Sequence, residues 1–185
     1  MNDKIAIKIE KPNLTSSLIT NESYYTRILN DDYHLTCVPK YYGDNFHNKR
    51  NYIIIEYIDS SIDSYLKLPK NHPGKLSLVS ICQQMFRCLE ALHGTHHLHR
   101  DVKPENFMIN SKDNKVKLID LGLLINYMPE GVHRPMGKYT FQGTANFGSV
   151  NTLYGYNSSR RDDLEGLGFA IMFIIDEAAV PWRQN

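Results

Sequence analysis

The sequence predicts an α+β fold with two lobes, a small β-rich lobe over residues 1–58 and a mainly helical lobe over residues 59–185. Short runs rich in β-branched residues dominate the first part of the chain, at residues 5–9 and 52–55. Longer segments with apolar side chains at helical spacing follow, the first of them after Ser77. With 185 residues and 42% hydrophobic content, the chain is long enough to bury an apolar core.

The small lobe is expected to contain three strands and one helix. Residues 5–9 form a strand, and residues 38–42 and 51–58 form two more. A short helix after the first strand is indicated by side chains at helical spacing: Leu18, Glu22, Tyr25 and Leu29. The boundary between the lobes is expected near residues 57–64.

The large lobe is expected to begin with a long helix that has Ser77 as its N-cap. One face of this helix is apolar and carries Ile81, Met85, Leu89 and Leu92. A short strand is expected at residues 116–119, followed by a glycine-containing loop. A second helix begins near Asp162. Its apolar side chains are also in helical register: Leu164, Leu167, Ile171 and Ile175.

The overall composition argues against several classes of function. A formal net charge of +1 argues against nucleic-acid binding by bulk electrostatics. No apolar run approaches the roughly 18 residues of a membrane-spanning helix, and the first residues do not resemble a signal peptide. The three cysteines, Cys37, Cys82 and Cys88, form no C-x-x-C pair, which is typical of reduced thiols. We therefore expect a cytoplasmic or nuclear protein that binds neither nucleic acid nor membrane.

The segment HRDVKPEN at residues 99–106 carries the strongest chemical signal. It fits the catalytic-loop pattern H-R-D-x-x-x-x-N of protein kinases at every fixed position. Phosphoryl transfer needs a carboxylate to accept the hydroxyl proton and a cation beside the migrating group, and Asp101 and Lys103 suit these roles. Asn106 offers an oxygen ligand for Mg²⁺. Asp120, which begins the sequence DLG after a short predicted strand, is the expected second metal ligand.

A second group of functional residues is predicted near the start of the chain. Lys8 occupies the lysine position of the V-A-I-K motif, here the sequence IAIK, on a predicted strand. Glu22, on the following helix, is its expected ion-pair partner, and the pair would position the α- and β-phosphates of ATP. A lone lysine on an edge strand is more often a surface charge, but the downstream catalytic loop favours the functional interpretation.

A cluster of histidines follows the long predicted helix, at positions 93, 96, 97 and 99. Their spacing matches no common zinc pattern, and the catalytic-loop motif already accounts for His99. We expect the other three histidines to lie at the end of the helix rather than to bind a metal.

Two further segments, GTANFGSVNT at residues 143–152 and SRRDDLEGLG at residues 159–168, resemble the signatures of the casein-kinase-1 family. Tau-tubulin kinases share much of this pattern. The resemblance covers essentially the whole chain and implies Mg-ATP as cosubstrate and protein serine or threonine as acceptor. It also implies a gatekeeper and a hinge that contact adenine, formed by Ile55, Glu56 and Ile58.

The same resemblance assigns roles to residues around the catalytic loop. Asp163 would anchor the loop from the second large-lobe helix. Thr144 would contact both Asp101 and Lys103, which adds it to the expected catalytic residues.

The chain also departs from the family pattern in three places. Only seven residues precede Lys8 and no G-x-G-x-x-G occurs, so the small lobe is expected to lack the glycine-rich hairpin. The sequence ends at Asn185, so the large lobe is expected to stop after its central helix and to expose apolar surface there. Asn146 stands where the family has a phosphate-binding arginine, which argues against a preference for pre-phosphorylated substrates.

Two functions follow from these observations. The first is a casein-kinase-1-like serine/threonine protein kinase. The second is a catalytically weak or inactive kinase fragment that acts as a binding module or decoy. In both cases we expect a monomer, and any self-association would use the exposed apolar surface of the large lobe.

Overall fold

The computed structural model describes residues 4–12 and 18–184, and it confirms a mixed α and β fold built from small sheets and a few helices. In the described part of the small lobe, β3 lies between β1 and β2 in an antiparallel sheet in which Lys8 pairs with Ile53. Helix α1 packs against this sheet, and its Leu29 is fully buried. These elements have the following bounds: β1 Ile5–Ile9, α1 Leu18–Asp31, β2 Tyr41–His47 and β3 Arg50–Glu56.

The beginning of the strand predicted at residues 38–42 does not join this sheet. β2 starts only at Tyr41, because Val38 is buried against the other lobe. The carbonyl oxygen of Val38 accepts a hydrogen bond from Nζ of Lys117 (3.3 Å). Pro39 follows and has no N–H group to offer a strand ladder.

The large lobe is built around α3, whose predicted N-cap is confirmed: Oγ of Ser77 accepts the N–H of Ser80 (3.1 Å). The predicted apolar face is also confirmed, since its members are fully buried: Ile81, Met85, Leu89 and Leu92. The elements of the large lobe are β4 Ser60–Ser61, α2 Ile62–Leu66, α3 Leu78–Gly94, β5 His97–Leu98, β6 Phe107–Asn110, β7 Lys115–Leu118, β8 Ile125–Asn126, α4 Val150–Leu153 and α5 Arg160–Ile175.

Several single 3₁₀ turns connect these elements. They are Pro104–Asn106, Leu121–Leu123, Pro129–Gly131, Ala145–Phe147, Glu177–Ala179 and Pro181–Gln184. None of the helices within residues 4–12 and 18–184 has the length and apolar character needed to cross a membrane.

Strands β6 and β7 form a hairpin that the sequence predicts only in part. The strand predicted at residues 116–119 corresponds to β7, whereas the pattern gives no signal for β6. β6 is short and follows the catalytic-loop motif directly, so its two buried side chains, Phe107 and Ile109, do not establish an alternation. β4 extends the hairpin on the side of β6, and β5 pairs separately with β8. The hairpin places the end of the catalytic loop beside the start of the DLG segment.

Helix α5 begins slightly earlier than predicted, because Ser159 and Asp162 form a capping box in which the Ser159 N–H donates to Asp162 (2.6 Å). The predicted helix is confirmed, and the exposed apolar surface expected along it is observed at Leu164 and Ile175, which are 44% and 64% exposed, whereas Leu167 is fully buried. The helix packs through a face that combines small, acidic and apolar residues: Asp162, Asp163, Gly166, Leu167 and Ala170. Simple apolar periodicity does not detect such a face.

Candidate active site

The catalytic-loop segment lies between β5 and β6 and is anchored from α5. The buried carboxylate of Asp163 accepts hydrogen bonds from the backbone N–H groups of His99 (2.8 Å) and Arg100 (2.9 Å). Nε2 of His93, in the last turn of α3, lies 2.9 Å from Oδ2 of Asp163. The anchoring contact implied by the family resemblance is therefore present, with His93 as an additional partner.

His99 joins the catalytic loop to the residue before Asp120. Its ring is fully buried, Nε2 donates to the carbonyl oxygen of Ile119 (3.1 Å), and Nδ1 accepts the N–H of Asp101 (3.3 Å). A neutral imidazole satisfies both bonds. The N–H of Ile119 in turn donates to the carbonyl oxygen of Asn106 (2.8 Å). These bonds bring three of the predicted site residues, Asp101, Asn106 and Asp120, into one region.

Asp101 lies at the centre of a hydrogen-bonded network. Nζ of Lys103 donates to Oδ2 of Asp101 (2.7 Å) and to Oγ1 of Thr144 (2.8 Å), and Oγ1 of Thr144 donates to Oδ1 of Asp101 (2.7 Å). Nδ2 of Asn106 contacts Oδ2 of Asp101 (3.2 Å) and the carbonyl oxygen of the same residue (2.8 Å). Both carboxylate oxygens of Asp101 are thus held in a fixed orientation.

The network also fixes the ionisation state of Asp101. Burial raises the pKa of its carboxyl group, but the hydrogen bonds from Lys103 and Thr144, together with the charge of Lys103, outweigh burial and hold the pKa below its ordinary value. Asp101 is therefore a carboxylate at neutral pH, able to accept a hydrogen bond from a hydroxyl group.

The approach of Thr144 to the catalytic loop depends on Gly143. This glycine has a φ of +108°, and a Cβ atom there would lie 2.5 Å from the carbonyl oxygen of Arg100. A residue with a side chain would therefore have to move away from the loop and carry Thr144 with it. The glycine of the GTANF segment thus has a physical role in the site.

Asn106 and Asp120 are suited to hold Mg²⁺. The amide nitrogen of Asn106 faces Asp101, which leaves its Oδ1 as an acceptor, while the carboxylate of Asp120 is exposed. Oxygen donors of this kind are the ligands that Mg²⁺ prefers. Asp120 also has a left-handed φ of 61°, an uncommon conformation for a residue other than glycine.

Lys8 and Glu22 form the ion pair expected from the sequence, with Nζ of Lys8 2.5 Å from Oε1 of Glu22. Burial raises the pKa of Glu22 above its ordinary value, Lys8 opposes this increase, and the charge of Asp120 adds to it. The helix that carries Glu22 also contacts the DLG segment, because Nδ2 of Asn21 donates to the carbonyl oxygen of Gly122 (2.6 Å). The pair therefore lies close to Asp120.

Comparison with known proteins agrees with this geometry. The family model for the protein kinase domain matches residues 1–185. The chain belongs to the protein kinase family. It is 34% identical over 191 residues to a probable serine/threonine-protein kinase of Dictyostelium discoideum, an alignment that covers 99% of this chain and 37% of the relative. The kinase chain therefore spans less than half the length of this curated relative.

The predicted hinge of this kinase domain begins where β3 ends, at Glu56, two residues before the predicted end of the strand. The predicted gatekeeper Ile55 and the hinge residue Ile58 are buried. The side chain of Glu56 does not extend freely into a cleft, because its carboxylate contacts Lys117 (3.1 Å) and Asn110 (2.9 Å). The backbone N–H of Glu56 also donates to the carbonyl oxygen of Lys40 (2.9 Å), so an adenine contact of Glu56 would have to use its own carbonyl oxygen.

Basic side chains line a cavity of about 490 Å³ beside the catalytic loop. Arg100 reaches it, with its Nε donating to the carbonyl oxygen of Leu123 (2.7 Å). Within the described part of the chain, no acidic residue lines this cavity. The other basic lining residues are His133, Arg134, Lys138, Arg160 and Arg161.

Two buried partners of the kinase site are not identified by the sequence motifs. His93 was expected only to end the long helix, and Lys117 had no expected role, although both are buried and bonded to acidic residues. The sequence offers one signal for these two residues: each lies among apolar residues that are buried in the fold. Such a position is unusual for a lysine in particular.

Proposed function

We propose that this chain transfers the γ-phosphoryl group of Mg-ATP to serine or threonine hydroxyl groups of proteins, with casein-kinase-1-like character. The observation that carries the proposal is the orientation of Asp101, whose two carboxylate oxygens are held by Lys103, Thr144 and Asn106. A fixed, ionised carboxylate with a neighbouring ammonium group is the arrangement that phosphoryl transfer to a hydroxyl requires.

In this proposal, Asp101 binds and orients the acceptor hydroxyl and accepts its proton as the oxygen attacks phosphorus. Lys103 stabilises the negative charge on the migrating group. Thr144 holds the side chains of Lys103 and Asp101 in a fixed relative position through its hydroxyl group. Asn106 and Asp120 would hold Mg²⁺, which would supply positive charge to stabilise the phosphates of ATP.

The nucleotide is proposed to bind between the two lobes. Lys8, oriented by Glu22, contacts the α- and β-phosphates. The apolar side chains of Ile55 and Ile58 and the backbone of Glu56 provide the adenine site.

The acceptor is proposed to be an acidic protein segment. The resemblance of residues 143–152 and 159–168 to casein-kinase-1 signatures supports serine and threonine as acceptor residues. The basic cavity beside Arg100 favours acidic side chains near the acceptor, because opposite charges steer association. Asn146 lacks the charge that binds a phosphate in the family, so the proposal does not require a pre-phosphorylated substrate.

The test is a phosphorylation assay of the purified chain with Mg-ATP and casein, followed by identification of the modified residues by mass spectrometry. We expect magnesium-dependent phosphorylation of serine and threonine, and Asp120→Ala is expected to remove the magnesium dependence together with most of the activity. ATP binding without transfer would contradict the proposal and favour the binding-module alternative.

A further inference from the structure

The carboxylate of Glu56 joins three separate segments of the chain. Its Oε2 accepts hydrogen bonds from Nζ of Lys117 (3.1 Å) and from the backbone N–H of Lys40 (3.1 Å). Its Oε1 accepts a hydrogen bond from Nδ2 of Asn110 (2.9 Å). Lys117 and Asn110 belong to the β6–β7 hairpin of the large lobe, whereas Lys40 and Glu56 belong to the small lobe.

Lys117 is unusual because a lysine with only 5% of its surface exposed requires partners for its charge. Its ammonium group binds the Glu56 carboxylate and the carbonyl oxygen of Val38 (3.3 Å). A single large-lobe side chain therefore contacts two segments of the small lobe. By contrast, Lys115 on the same strand is exposed, and its ammonium group lies 3.8 Å from the carboxylate of Asp113, which is also exposed.

The far end of the predicted hinge is tied to the same hairpin. The carboxylate of Asp59 accepts hydrogen bonds from both the backbone N–H (2.9 Å) and the hydroxyl group of Ser111. The next residue, Ser60, pairs with Ile109 of β6. Residues 56–59 are thus attached to the hairpin at both ends.

We propose that Lys117 is a positioning residue for nucleotide binding: it holds Glu56 and Val38 against the hairpin and thereby sets the direction of the carbonyl oxygen of Glu56 and the backbone of Ile58, which would bind adenine. The N–H groups of Glu56 and Tyr57 already donate to the carbonyl oxygens of Lys40 (2.9 Å) and Lys4 (3.4 Å). This inference rests on the proposed function, because it assigns adenine to the backbone of Glu56 and Ile58. Lys117 itself touches neither nucleotide nor acceptor. We therefore expect a substitution of Lys117 to weaken the binding of the adenine part of the ligand and not that of the phosphates.

The experiment measures the affinities of adenosine and Mg-ATP by calorimetry, together with kcat and both KM values, for the wild type and matched variants. Lys117→Met is expected to weaken adenosine and ATP equally, each by about tenfold, while kcat at saturating ATP and KM for casein stay within about twofold. Lys117→Arg keeps the positive charge and N–H donors for the same partners and is expected to restore part of the affinity. Lys115→Met is the control and is expected to behave as the wild type.

A second comparison separates positioning from loss of fold. Lys117→Met leaves the partly buried Glu56 carboxylate without a cationic partner and is expected to lower the melting temperature, so the double variant Lys117→Met/Glu56→Gln removes that charge as well. We expect the double variant to recover thermal stability but not adenosine affinity. Adenosine affinity equal to that of the wild type in either folded variant would overturn the inference. If the wild type binds neither adenosine nor ATP, the proposed function fails first and the inference fails with it.

Discussion

The two halves of the candidate active site are held together in different ways. In the large lobe, Asp101 is held by three side chains, and the loop that carries it is anchored by Asp163. In the described part of the small lobe, the ammonium group of Lys8 has a single carboxylate partner, Glu22. Loss of one contact therefore leaves most of the large-lobe geometry in place, whereas the small-lobe half depends on one ion pair.

The two halves also differ in the pKa values of their acidic residues, Glu22 in the small lobe and Asp101 in the large lobe. Burial raises the pKa of both acids, but the donors around Asp101 reverse the effect, whereas Lys8 alone does not reverse it for Glu22. Glu22 is more deeply buried than Asp101 and the charge of Asp120 adds to the effect of burial, so its bonds to Lys8 and the backbone of Leu121 leave its pKa raised, whereas the donors around Asp101 leave that pKa lowered. We therefore expect the large lobe to determine the chemical step and the small lobe to determine nucleotide affinity.

The largest effect is expected from Asp101→Asn. Loss of the carboxylate should lower kcat by about 10²–10⁴-fold, because general-base catalysis contributes that much, while ATP affinity stays close to that of the wild type. Steady-state kinetics with casein and a binding titration check both parts. Asp113→Asn is the matched control, because it changes an exposed acid between β6 and β7 whose carboxylate contacts Lys115. Undiminished turnover in the Asp101 variant would show that the carboxylate has another role or that a second kinase contaminates the sample.

A smaller effect is expected from Lys8→Met. Removal of a charged hydrogen bond to phosphate costs about 1.5–3 kcal/mol, so KM for ATP should rise by about tenfold to a hundredfold. Adenosine affinity should not change, which distinguishes this variant from Lys117→Met. Glu22→Gln should have the same effect in weaker form, because Lys8 is kept but no longer paired. Equal losses of adenosine and ATP affinity would place Lys8 outside the phosphate site.

Gly143→Ala tests whether the approach of Thr144 is as tight as the geometry indicates. The new Cβ atom collides with the carbonyl oxygen of Arg100 and the φ is left-handed, so we expect a destabilisation of about 1–3 kcal/mol and a lower kcat. Gly168→Ala is the control: it lies within α5 with nothing near its Cβ position, and alanine there should stabilise the helix by about 0.5–1 kcal/mol. Thermal or urea unfolding measures both changes, and opposite signs for the two variants are required.

The smallest change in the kinetic constants is expected from acidification. The raised pKa of Glu22 means that the folded protein binds a proton at this carboxyl group more readily than the unfolded chain does. The contribution of Glu22 to the free energy of unfolding is therefore present below the ordinary pKa of glutamate and is lost as pH rises through the higher pKa of the folded state. Asp101 has a lowered pKa, so its contribution is present above its ordinary value and is lost as pH falls through the folded value. On acidification, KM for ATP should therefore rise before kcat falls.

The pH profile of each kinetic constant measures this order. Glu22→Gln should remove the first change, in KM for ATP, and leave the second, in kcat. A simultaneous loss of both constants in the wild type would contradict the difference between the two halves.

The sequence by itself determined the parts of this protein that depend on neighbours along the chain. The catalytic loop at residues 99–106, the strand that carries Lys8 and the cap at Ser77 were all predictable, because fixed spacing and local backbone preferences define them. The contacts among Asp101, Lys103 and Thr144 followed from the family resemblance and are present. The roles of these residues, and the lobe boundary, stay predictions.

The tertiary structure alone decided the contacts between distant segments. Lys117 and Glu56 are 61 positions apart, and His93 and Asp163 are 70 apart, so no local pattern links them. A lysine in a short strand is indistinguishable from a surface charge until the fold buries it, and a histidine after an apolar run shows no sign of its partner. The reason that Gly143 is a glycine is likewise visible only in space, where the backbone of the catalytic loop occupies the position of its missing side chain.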